Sequence, residues 1–136
     1  MSTQTATRIP AINQLWPEQG GIFIGSRLIE GVVHHVVIPG GVEFDHPDTS
    51  GDRVELVVAE GDELNGFSDW RAGDQEDLML AFINSRERFE KEYYWSRSSY
   101  HGWTWAVDFE FGLTGNLNRA IEFRVRPFRS FPDSSL

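Results

Sequence analysis

Residues 93–111, "YYWSRSSYHGWTWAVDFEF", hold three tryptophans, two phenylalanines and four tyrosine or histidine rings within nineteen positions. Successive side chains of an extended chain point to opposite faces, so a run this aromatic limits the chain to a few arrangements. Trp103, Trp105, Val107, Phe109 and Phe111 fall on one side, and Thr104, Ala106, Asp108 and Glu110 on the other. The pattern predicts a half-buried strand with its odd-numbered rings inward. Trp95, Trp103 and Trp105 are accordingly expected in the core, because large apolar surface is the usual material of an interior.

A chain of 136 residues can bury such a core without staples, and with no cysteine it has neither disulfides nor thiolate chemistry. No basic start followed by an apolar run opens the sequence, and no stretch of it is apolar for the length of a membrane span. A non-membrane, cytoplasmic protein is expected. The net charge of −9 is unevenly spread: residues 43–92 carry fifteen acids against five bases, whereas the two flanks are close to neutral. Such a field repels free nucleic acid and can steer a basic protein partner.

Residues 1–10 read as a flexible tail, 11–131 as a single domain and 132–136 as a C-terminal tail. In "GGIFIGSRLIEGVVHHVVIPGG", Ile22–Ile24 and Val32–Ile38 are expected as strands, with Gly25–Gly31 as the reversal between them. Residues 42–66 stay open: Val54, Leu56 and Val58 alternate like a strand, while Val54, Val57 and Val58 also suit one helical face. Asp74, with Asp77 three positions on, caps a helix expected over about 75–85 that presents Leu78, Phe82 and Ser85 on one stripe. "GLTGNLN", 112–118, reads as a turn leading to a return strand through Ile121, Phe123 and Val125. That hairpin would place Asp108 and Glu110 beside Arg124 and Arg126. Pro127 marks a strand end at an edge or leaving the sheet.

Four ordered motifs, "GFSDWR" (66–71), "YYWSRSS" (93–99), "WAVDF" (105–109) and "FRVRPFRSF" (123–131), resemble the DUF1566 or Lcl C-terminal domain family of bacterial and phage proteins, over residues 62–131. "GGIFIG" at 20–25 is similar to the opening strand of small phage members. The resemblance implies an α+β, C-type-lectin-like fold of antiparallel sheets with one or two packed helices. It also implies structural roles for Trp70, Arg71, Trp95, Ser96, Trp105, Arg124, Arg126, Pro127 and Arg129. Ala72-Gly73 replaces the family's Leu-Pro, so that region is expected to be remodelled. Relatives serve in adhesion, in ligand display and in phage proteins, and a fold does not choose among such roles.

The residues themselves favour binding over chemistry. The Glu-Pro-Asn and Trp-Asn-Asp motifs of calcium-dependent lectins do not occur, and "DHPD" (45–48) and "GDEL" (61–64) read as solvated loop. His34, His35, His46 and His101 lack metal spacing, with His34 and His35 on opposite faces of a strand. No cofactor is expected and no nucleophile elbow occurs. The expected function is a non-catalytic protein-binding module, in a phage setting one that inhibits a host protein. Tyr100, His101 and Arg97 are its candidate contacts. A second reading has Asp62, Glu63, Asp74, Glu76 and Asp77 imitating nucleic-acid phosphates for a basic nucleic-acid-binding partner. Carbohydrate binding or adhesion is a third.

Overall fold

The computed structural model describes residues 9–58 and 63–136. Its strands are β1 (Gln14–Trp16), β2 (Gly21–Ile29), β3 (Val32–Ile38), β4 (His46–Ser50), β5 (Arg71–Ala72), β6 (Tyr93–Tyr100), β7 (Trp103–Asp108), β8 (Thr114–Asn118), β9 (Glu122–Val125) and β10 (Pro127–Pro132). Two α-helices, α1 (Val54–Val57) and α2 (Gln75–Ser85), complete a mixed α+β fold. One five-stranded sheet has the order β1-β2-β3-β10-β5 and the other β4-β9-β6-β7-β8. Both are antiparallel, apart from a single parallel bridge between β6 and β9 at Tyr94 and Arg124. The chain passes from one sheet to the other across Arg126, between Val125 and Pro127, and a residue without an N–H suits that departure.

Adjacent residues of one strand serve two different cores. Phe23, Val37, Trp95, Ala106 and Phe131 join Trp16, Val54 and Trp70 in one cluster. Their neighbours Ile22, Ile24, Val36, Ile38, Tyr94 and Val107 join Leu78, Phe89, Phe109 and Phe128 in the other. Strands covered on both faces read as nearly continuous apolar runs, which "GIFI" and "HVVI" are.

This double burial corrects the reading of β7. Thr104, Ala106 and Asp108, assigned by alternation to solvent, are buried, while Trp103 is 45% exposed, Trp105 half-buried and Phe111 71% exposed beyond the strand end. Alternation assumes one wet face, and β7 lies between β6 and β8 with core against both sides. Nor is 112–118 a turn. The chain reverses earlier, over Phe109–Phe111 into Gly112 (φ 77°), and residues 114–118 pair with β7 as β8, with Gly115 opposite Ala106. The return strand β9 pairs with β4 and β6 instead, so Arg124 meets Glu92 and Asp45 rather than Asp108 or Glu110.

Local chemistry sets the other boundaries. Glu30 and Gly31, both at positive φ (50° and 80°), form a two-residue hairpin turn. β2 therefore runs through the expected reversal, absorbing Gly25 (φ 132°) at a register shift. Within 42–66 the helical face prevails locally: α1 buries Val54, Val58 just beyond it is buried, and Leu56 is 67% exposed. α2 covers 75–85 as its capping box predicts, burying Leu78, Ala81 and Ser85. Residues 132–136 are anchored rather than tail-like, since Pro132 pairs with His34 and Leu136 packs on the first cluster. Residues 1–8 of the expected N-terminal tail lie outside the described residues.

Trp95, 1% exposed, donates its indole N–H to the Thr49 carbonyl at 2.9 Å. Trp95→Ala should therefore cost about 3 to 5 kcal/mol. Trp103→Ala, at a partly exposed position, should cost under about 1 kcal/mol. Urea denaturation of the two variants side by side measures the difference.

Candidate functional site

β6 and β7 are joined by His101 and Gly102, at φ 49° and 82°, the pair of positive angles that matches the twist of a tight hairpin. Tyr100 and Trp103 stand directly opposite each other at its mouth. Tyr100 is 63% exposed and its ring meets the His101 ring edge-on at 4.0 Å. Trp103, placed in the core by alternation, thus joins Tyr100 and His101 in a three-ring tip held by paired strands. Arg97 lies on the same strand but turns to the N-terminus of α2, where its Nε donates to Asp74 at 2.7 Å.

The acids proposed as phosphate mimics separate into different environments. Asp77 is fully buried, accepts hydrogen bonds from Arg27 (2.7 Å) and Arg71 (2.9 Å), and accepts the Asp74 N–H as part of the capping box. It cannot face a partner. Asp74 is bound by both Arg27 and Arg97. Burial alone would raise the Asp74 pKa, but hydrogen bonding and charge from Arg97, with Arg71 and Arg27, outweigh it and hold the carboxyl below its ordinary value. Glu63 and Glu76 are exposed, and Asp62 lies outside the described residues.

Two polar clusters escaped the sequence reading. Asp45, expected in solvated loop, has a side chain only 1% exposed and pairs with the buried Arg126. It also accepts the Tyr94 hydroxyl at 2.6 Å, and burial followed by that bond pushes the phenol pKa far up. The three arginines of "FRVRPFRSF" were the available signal, because buried guanidinium groups need carboxylates. The second cluster is a row, Ser26 Oγ to His35 Nδ1 and His35 Nε2 to Asp133, each link 2.7 Å. His35 is buried among Trp16, Phe23 and Phe131, and Asp133 is largely exposed. The row ties the C-terminal turn to β3.

A groove of about 430 Å³ is lined by Pro47, Asp48, Glu92, Tyr93, Glu122, Phe123 and Arg124, with the Tyr93 and Phe123 rings stacked at 4.9 Å. Ser26, His35 and Asp133 line neither it nor the grooves beside Trp70, α2 and Arg119. Among the described residues no group of three or more His, Cys, Asp or Glu side chains could hold a metal ion. Among them, too, no helix is long and apolar enough to cross a membrane. Set against known proteins, the chain matches no family model, and no curated protein matches its sequence.

The depressed Asp74 carboxyl sets the sign of a pH effect. Its stabilisation is present above the ordinary value of 3.8 and is lost as pH falls through the lower folded-state value. Asp74→Asn keeps a good capping residue while removing the charge. The variant should be less stable at neutral pH, and its stability should fall less steeply below about pH 4. Thermal melts across pH check both.

Proposed function

We propose that the chain is a non-catalytic protein-binding module that engages its partner through Tyr100, His101 and Trp103. The carrying observation is the exposure of Trp103 next to Tyr100 on a hairpin whose turn is set by two positive-φ residues. Tyr and Trp dominate binding hot spots because they offer large area with few torsions to immobilise. A preformed hairpin lowers the ordering cost further. The resemblance to small phage members of the Lcl C-terminal domain family supports a C-type-lectin-like frame, and a phage protein acting in the host cytoplasm by inhibiting a host protein.

The phosphate-mimic reading has less support. Asp74 and Asp77 are neutralised by Arg27, Arg71 and Arg97, which leaves Glu63 and Glu76 as its described exposed members. Carbohydrate binding rests on the fold resemblance and on aromatic rings able to stack on a sugar.

The test compares capture of a stoichiometric protein from bacterial lysate by the wild-type chain, by a Tyr100→Ala/Trp103→Ala variant and by a Glu63→Gln/Glu76→Gln variant. The aromatic variant should lose the partner through faster dissociation with an unchanged salt slope, and the glutamine variant should keep it. Loss in the glutamine variant alone, with a flattened salt dependence, would favour mimicry. Retention on a glycan array with no protein recovered would favour carbohydrate binding.

A further inference from the structure

Four strands end the two sheets, and three of them are blunted against pairing with another chain. β1 has three residues and β5 two, while β4 carries Pro47, a positive φ at Asp48 and a register irregularity between His46 and Thr49. β8, "TGNLN", has five residues with neither charge nor proline. The Asp108 N–H donates to the Leu113 carbonyl at 2.8 Å, in the same register that sets Ala106 opposite Gly115 and Thr104 opposite Leu117. Backbone groups of an antiparallel ladder alternate in direction, so Gly115 and Leu117 bond inward to β7. Those of Thr114 and Asn116, and the N–H of Asn118, point away from the sheet, while the Asn118 carbonyl accepts from Ile121 at 3.1 Å.

We propose that this edge pairs with the β8 edge of a second copy, antiparallel about a twofold axis at Asn116. The strand is complementary to itself in that register: Thr114 meets Asn118, Gly115 meets Leu117 and Asn116 meets its own equivalent. No like charges are opposed, which matters in a chain of net charge −9. Exposed apolar side chains point the same way. Leu113 and Phe111, 60% and 71% exposed, flank one end of the edge, and the pairing brings them towards Arg119 and the 42% exposed Ile121 of the second copy. The interface is isologous and closes at two copies. Trp103 lies opposite Asn118, so the antiparallel arrangement sets the two aromatic tips at opposite ends of one continuous sheet. A partner with repeated sites would then be held at both ends.

Sedimentation equilibrium of the full chain over a concentration series tests the pairing, with Asn116→Pro and Asn116→Lys as variants. Because the Asn116 N–H points outward, proline removes an edge donor without breaking a bond to β7, and lysine blunts the edge with charge. The wild-type chain should pass from monomer to dimer as concentration rises, and added salt should not dissociate the dimer. Both variants should weaken dimerisation by at least about tenfold while keeping the wild-type thermal midpoint at concentrations where the wild type is monomeric, and Tyr100→Ala should leave the dimer intact. If proline disturbs the fold, the lysine variant decides. A wild-type chain that is monomeric up to its solubility limit, or a dimer equally strong in the lysine variant, overturns the proposal.

Discussion

The buried pair between Asp45 and Arg126 ties together segments from both sheets, the loop after β3 and the chain after α2. Arg126 donates to Asp45, to the Gly40 carbonyl after β3 and to the Arg88 carbonyl after α2, and its guanidinium lies 4.1 Å from the centre of the Phe89 ring. Asp45 in turn accepts from Tyr94 on β6 and from Arg124 on β9. An unpaired ion here would be costly in a low-dielectric interior, so the loop, both sheets and the helix exit are tied to one geometry. Phe89, Tyr94 and Phe109 pack around it with ring centres 4.3 to 5.1 Å apart.

The same logic redistributes the charge of the chain. Acids concentrated at 43–92 meet arginines drawn largely from the flanks: Arg27 and Arg97 on Asp74, Arg124 and Arg126 on Asp45, Arg124 on Glu92 and Arg129 on Asp69. An asymmetry along the sequence becomes pairing in space. The acidic segment is in good part an internal partner for the arginines, while the β6–β7 tip exposes Tyr100 and Trp103.

Much of this was legible from residues alone where the governing interaction is local. The Asp74–Asp77 box placed the start of α2, because cap and first turn lie next to each other in the chain. Val32–Ile38 is a strand because its β-branched run stops at Pro39-Gly40-Gly41. The buried role of Trp95 was legible too, and its indole N–H finds the Thr49 carbonyl. The reversal at His101 was legible because glycine follows it, whereas Tyr100, read as loop, is the last residue of β6.

What depends on distant segments was not legible. Whether Trp103 or Thr104 faces the interior is decided by β6 and β8 on either side and by two cores above and below, none of which period-2 counting contains. Asp45 is 81 positions from Arg126, and Ser26, His35 and Asp133 lie on segments spread across nearly the whole chain. By itself the sequence determined α2, the strand character of β2, β3, β7 and β9, and the aromatic stock of the core, since capping and backbone preference act over a few residues. Only the tertiary structure decided which rings were left outside and which acids were withdrawn from solvent, because burial and ion pairing belong to surfaces that exist once the sheets have closed on each other.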